Sequence, residues 1–179
     1  VAAQPRDARA VVEFAQVLEQ IGQIGRAQQQ WQNAAALLPK EPLPPLQNAR
    51  LMRRLGRDNE ALKNYYRVLQ LVPNEPNALL GAAQIETKQK LHSRAFKHWN
   101  ALIKSRPDFE PAYASLLRSA IATRQAAQAA NTLLPPLRKK PEQRAVWEAI
   151  LLAYSMTGQA DAGRAFLKNF VTKNPKAKA

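Results

Sequence analysis

His92 and His98 are the only imidazoles in the chain, and cysteine is absent. Acid–base or nucleophilic catalysis needs a tuned ionisable pair held in a pocket. Six residues apart, the two histidines do not share a helical face, and a metal site would need further ligands at suitable spacing. Asp58, Glu60 and Asp161 stand at the starts of expected helices, where negative charge complements the helix dipole. Gly22 and Gly25 form no GxGxxG and no phosphate loop, and no strand precedes them. Without cysteine, disulfides, thiol catalysis and thiolate metal sites drop out as well. The residues therefore offer no catalytic set, no metal site and no cofactor site.

Stepping along the chain instead exposes a period of 34 residues, clearest in Gly56–Pro73, GRDNEALKNYYRVLQLVP. Gly56 breaks one helix, Asp58 caps the next, and Ala61, Tyr65 and Leu69 mark one face at a spacing of four. The stop at Pro73 recurs at Pro39, Pro107, Pro141 and Pro175. Twelve residues before each proline stands a small residue: Ala27, Ala61, Ala95, Ala129 and Gly163. Eight before it stands a large one: Trp31, Tyr65, Trp99, Leu133 and Leu167. Seventeen before it come Gly22, Gly56 and Gly158, with Lys90 and Arg124 in the third and fourth copies. Lys90 implies either a strained left-handed residue or a different turn. PKEPLPP, residues 39–45, keeps the register, so it reads as a rigid turn with proline in the first helical turn. Pro135-Pro136 should stop or kink a helix near Leu134.

On these positions the chain resembles tandem tetratricopeptide repeat (TPR) proteins over roughly residues 8–175. The resemblance implies an all-α fold, a right-handed superhelical solenoid of antiparallel helix pairs. It would form one array over 1–179, with repeats at about 8–41, 42–75, 76–109, 110–143 and 144–177. In that family the first helix of every unit lines a concave groove. Carried over by register, one groove row is Gln16, Arg50, Gln84, Arg118 and Leu152, and three residues further lie Glu19, Arg53, Thr87, Ile121 and Ser155. Arg54 and Lys88 lie beside the second row. The partner-binding residues implied are Gln16, Arg50, Arg53, Arg54, Gln84, Lys88 and Arg118. The carboxylate clamp that some TPR domains use on chaperone C-termini is absent in this register, where Val12, Gln16, Gln47, Asn77 and Gly81 stand at its positions. The aromatic ladder Trp31, Tyr65 and Trp99 reads as core packing between helices rather than a base-stacking platform.

Net charge is +14, yet residues 1–41 carry four basic and four acidic side chains, so the excess lies in 42–179. Such a field favours acidic proteins or anionic polymers and weakens with salt. The charge would suit nucleic acid too, but the exposed aromatics and glycine-rich loops often paired with that function are lacking. The expectation is a non-catalytic scaffold for protein–protein interaction, gripping an extended acidic segment. Its alternatives are an accessory segment of a bacterial envelope or exopolysaccharide machine holding an anionic polysaccharide, and a targeting domain of a larger enzyme such as a glycosyltransferase or sulfotransferase. No run approaches eighteen consecutive apolar residues, so no transmembrane segment is expected. The start VAAQP fits either the tail of a cleaved export signal or the edge of an excised segment, which leaves cytoplasm and periplasm both open. No polar capping helix follows the fifth repeat. The face around Phe166, Phe170 and Val171 is thus expected to continue into a longer protein or to meet a partner or second copy, a route to homo-oligomers through uncapped ends.

Overall fold

A computed structural model describes residues 5–141 and 143–173; the expected stop at Pro175, the tail after it and the first four residues lie outside the described residues. Ten α-helices and no strand occur among the described residues. In chain order they are α1 Pro5–Gln20, α2 Ile24–Leu37, α3 Leu43–Arg54, α4 Asp58–Leu71 and α5 Pro76–Lys88. Then come α6 His92–Ser105, α7 Pro111–Thr123, α8 Ala126–Lys139, α9 Arg144–Met156 and α10 Ala160–Lys173. The chain divides into two compact units, residues 1–85 and 86–179.

Two backbone devices, each recurring every 34 residues, shape these helices. The first is the turn inside each pair. Gly22, Gly56, Lys90, Arg124 and Gly158 all have left-handed backbones, with φ of 76°, 73°, 58°, 55° and 73°. After each, an N–H reaches back five residues: Gln23 to Leu18, Arg57 to Met52, Leu91 to Glu86, Gln125 to Ala120 and Gln159 to Tyr154, all at 2.8–2.9 Å. This bond satisfies a carbonyl that the helix end would otherwise strand. Lys90 and Arg124 thus hold the same turn as the glycines, with the left-handed strain that a Cβ brings.

The second device closes each pair. Leu38, Val72, Arg106 and Lys140 each precede a proline and carry ψ of 65°, 91°, 77° and 69°, out of the helical region that a following proline disfavours. In PKEPLPP, Pro44 and Pro45 occupy the first turn of α3, where a missing N–H is no loss. The stop expected near Leu134 does not occur: α8 runs through Pro135 and Pro136 to Lys139. The prolines remove the N–H groups that would serve the Asn131 and Thr132 carbonyls. Leu133, Pro136 and Leu137 are nevertheless buried, and the Lys140 N–H reaches the Pro136 carbonyl at 3.1 Å, so core packing carries the last turn.

The first unit packs Trp31, Met52, Tyr65 and Val68 around the small residues Ala27, Ala49 and Ala61. Ala15 and Leu18 of α1 join that core, but Phe14, which helical periodicity puts on one face with Val11, Ala15 and Leu18, is 43% exposed and lies 5.9 Å beneath the Arg26 guanidinium. In the second unit Phe96, Trp99, Ile103, Leu116, Leu133 and Ile150 are buried. Phe170, expected on a bare terminal face, is instead buried against Trp147, with ring centroids 4.1 Å apart. Phe166 stacks at 6.1 Å from Trp147 and 6.0 Å from Tyr154, while Leu167 of the ladder is only half-buried.

Replacing Lys90 and Arg124 together by glycine should relieve the left-handed strain and stabilise the chain by about 0.5–1 kcal/mol at each site, net of the added unfolded-state entropy. Thermal unfolding should register this as a Tm rise of roughly 2–4 °C per kcal/mol. An unchanged or lower Tm would show that these turns are unstrained.

Candidate functional site

The residues that line the candidate surface are positioned by the ladder behind them. The Trp31 indole Nε1–H donates to Glu19 at 3.1 Å, and the Trp99 Nε1–H donates to the Thr87 hydroxyl at 3.0 Å. Each donor lies twelve residues after its acceptor. Tyr65 is the register equivalent in the second repeat, and the residue twelve before it is Arg53, whose guanidinium sits within hydrogen-bonding reach of the phenol. Each aromatic therefore keeps its ring in the core and touches the inner row with its polar tip. In the fourth repeat the matching pair is Leu133 and Ile121, where neither side has a polar atom to offer.

Within the first unit the inner row forms two cavities. Arg50, Arg53, Arg54, Tyr65, Asn77 and Leu80 line one of about 270 Å³. Gln16, Glu19, Gln20, Trp31, Gln47 and Arg54 line the other, of about 330 Å³. Three basic side chains of the first cavity come from positions i, i+3 and i+4 of α3, which place them on one helical face. Arg53 donates to the Gln84 side chain at 2.6 Å, and Arg54 bonds Glu19 at 3.2 Å. Tyr65 forms the floor, and its ring fits only because residue 81 is glycine. A Cβ there would stand 2.2 Å from the ring's Cζ. Burial pushes the Tyr65 phenol above its ordinary pKa of 10.0, against the opposing pull of Arg53 and Arg50, so at neutral pH it keeps its proton.

Arg50, Arg53, Arg54 and Gln84 are thus brought together, and Gln16 lines the neighbouring cavity. Lys88 and Arg118 belong to the second unit, where both are exposed, on α5 and α7. Leu152 of the same row is exposed beside Met156 on α9, so the row becomes apolar there. Tyr65, Asn77 and Leu80 were not expected in a cavity; the twelve-residue spacing between ladder and row was the signal that could have found Tyr65.

The histidines serve separate ends. The His98 Nδ1 lies 2.7 Å from a carboxylate oxygen of the fully buried Glu86, again twelve residues earlier, which makes it an interhelix tie in the core. His92 opens α6 beside Lys90 and Arg94 in a cavity of about 550 Å³. No cluster of three or more His, Cys, Asp or Glu side chains that could hold a metal ion occurs among the described residues. None of the described helices is long and apolar enough to cross a membrane.

Solved structures share this arrangement. MamA from residue 41 onward, from Desulfovibrio magneticus RS-1, is 16% identical with a TM-score of 0.63 over 99% of this chain and 100% of that one. A tetratricopeptide repeat protein of Parabacteroides merdae is 15% identical with a TM-score of 0.61, over 95% of this chain and 66% of that one. YrrB, described as a TPR protein with an unusual peptide-binding site, is 11% identical with a TM-score of 0.64, over 92% and 85%. The chain has the tetratricopeptide repeat fold. No protein-family model matches the sequence, and no curated protein matches it either. The fold is thus shared at 11–16% identity to these three.

Two outcomes follow for this TPR chain. Gly81→Ala should force the Tyr65 ring from its place and cost on the order of 1–3 kcal/mol, read as a fall in the denaturation midpoint; wild-type stability would mean that the ring can move freely. Tyr65, Tyr113 and Tyr154 all have phenol pKa values raised by burial, so the folded state holds protons that the unfolded state releases near pH 10.0. Their contribution to stability is complete below that pH and declines as pH rises through the folded values. Tyr65→Phe should flatten the alkaline decline in a denaturant series, and an identical pH profile would contradict it.

Proposed function

We propose that this chain is a non-catalytic scaffold that holds an extended, acidic segment of a partner protein on the inner row of its first helices. The first unit contributes Gln16, Arg50, Arg53, Arg54 and Gln84. The observation that carries this reading is the cavity of Arg50, Arg53 and Arg54, which has no acidic residue in its lining. A peptide-binding site in YrrB, which has the same fold, supports the choice of partner. The positive charge favours an acidic segment, and planar guanidiniums recognise carboxylates in bidentate fashion. Exposed ion pairs contribute at most about 1 kcal/mol each, so affinity must come from several acting together.

Arg50→Glu and Arg53→Glu, made singly and together, test this with a fluorescently labelled glutamate-rich peptide. Binding anisotropy should show each reversal weakening affinity and the double variant more than tenfold weaker, with far-ultraviolet circular dichroism unchanged and with binding declining as salt rises. Unaltered affinity in the double variant would remove the inner row from the function. Oligomers of uronic acid binding more tightly than the peptide would assign the row to an anionic polysaccharide.

A further inference from the structure

The cavity on α3 carries more charge than an ordinary acidic side chain matches. Arg54 is paired with Glu19 at 3.2 Å. Arg53 is anchored by the neutral Gln84 at 2.6 Å and retains its charge. Arg50 has no acidic partner among the described residues. Glu75 accepts from the Ala78 backbone N–H at 2.6 Å and from the Asn77 amide at 3.0 Å and keeps its charge, but it acts on the Tyr65 phenol less than Arg53 or Arg50 does. Two guanidiniums without an ion-pair partner therefore face one cavity.

The size and the donors narrow the occupant. At about 270 Å³ the cavity has room for a phosphoryl group together with part of the side chain that carries it. A carboxylate brings two oxygens and a single charge, which one guanidinium satisfies in bidentate fashion. A phosphoryl group brings about 1.5–2 negative charges at neutral pH and three acceptor oxygens. Arg50 and Arg53 supply the matching charge, and the Tyr65 hydroxyl and the second N–H of the Asn77 amide supply neutral donors. One repeat earlier, the equivalent cavity has Gln16, Glu19 and Gln20 where this one has Arg50, Arg53 and Arg54. Of these two cavities of the first unit, only the one on Arg50, Arg53 and Arg54 is lined without an acidic residue.

We infer that this cavity is a phosphoryl subsite, taking a phosphorylated side chain of the bound segment on Arg50 and Arg53 with Tyr65 and Asn77 as further donors. The inference rests on the scaffold reading above. It makes phosphorylation of the partner a switch for binding, since the unmodified hydroxyl leaves both guanidiniums without a counter-charge.

The test uses the whole ¹⁵N-labelled chain titrated at neutral pH and constant ionic strength with O-phospho-L-serine and, separately, L-glutamate, following backbone and arginine Nε–Hε resonances. Phosphoserine should move the signals of Arg50, Arg53 and Asn77 and bind at least tenfold more tightly than glutamate. Arg50→Gln should lose about tenfold of that affinity and Tyr65→Phe severalfold, both with unchanged helicity. Arg144→Gln/Lys168→Gln, which removes two exposed cations of the second unit, should lose nothing. Equal affinity for the two probes, shifts spread over the surface cations, or indifference to Arg50→Gln would overturn the inference. If any of these occurs while the glutamate-rich peptide still binds, the phosphoryl subsite fails and the scaffold stands; if the peptide also fails to bind, both readings fall.

Discussion

Every second helix that carries a polar-tipped aromatic in the ladder also carries a link to the first helix of its own pair. Trp31 reaches Glu19, Trp99 reaches Thr87, and Tyr65 stands against Arg53. A buried indole or phenol needs a partner for its polar atom, because an unsatisfied donor in the core costs on the order of 1–3 kcal/mol. Here the partner is a residue of the surface that the chain presents to solvent. The core therefore dictates which way the inner row points, and the inner row in turn completes the core. The side chains available for recognition are held by packing and do not wander on a mobile loop.

For such links to repeat, each pair must turn back at the same angle and depth. The five left-handed turns supply this, whether the residue is glycine, lysine or arginine. With the turn geometry constant, a change of residue in the row alters chemistry without altering place. The two cavities of the first unit illustrate it: glutamine and glutamate line one, and arginines at the equivalent positions line the other. The chemistry of the row thus changes residue by residue on a fixed frame.

The repeat was legible because its parts are set by backbone chemistry. Proline after Leu38, Val72, Arg106 and Lys140 keeps ψ out of the helical region, and small residues such as Ala27 and Ala61 permit helices to touch. The strained turn at Lys90 was one of two readings, and register alone could not choose between them. Pro135-Pro136 misled because local propensity spoke for a break while burial of Leu133, Pro136 and Leu137 decided for a helix. Phe14 and Phe170 exchanged their expected roles because helical periodicity names a face but not its neighbour. Register placed the arginines of the candidate surface in one row, whereas finding Tyr65 beneath them needed a second spacing, the twelve residues that separate each ladder aromatic from that row.

The link between ladder and row is open to direct measurement in the pair Thr87 and Trp99. A double-mutant cycle of Thr87→Val and Trp99→Phe, each close to isosteric, would isolate their hydrogen bond from the surrounding packing. The two changes should be non-additive in unfolding free energy by about 1 kcal/mol, the double variant losing less than the sum of the singles. Strict additivity would mean that the ladder and the inner row are fixed independently, and that the core does not position the row.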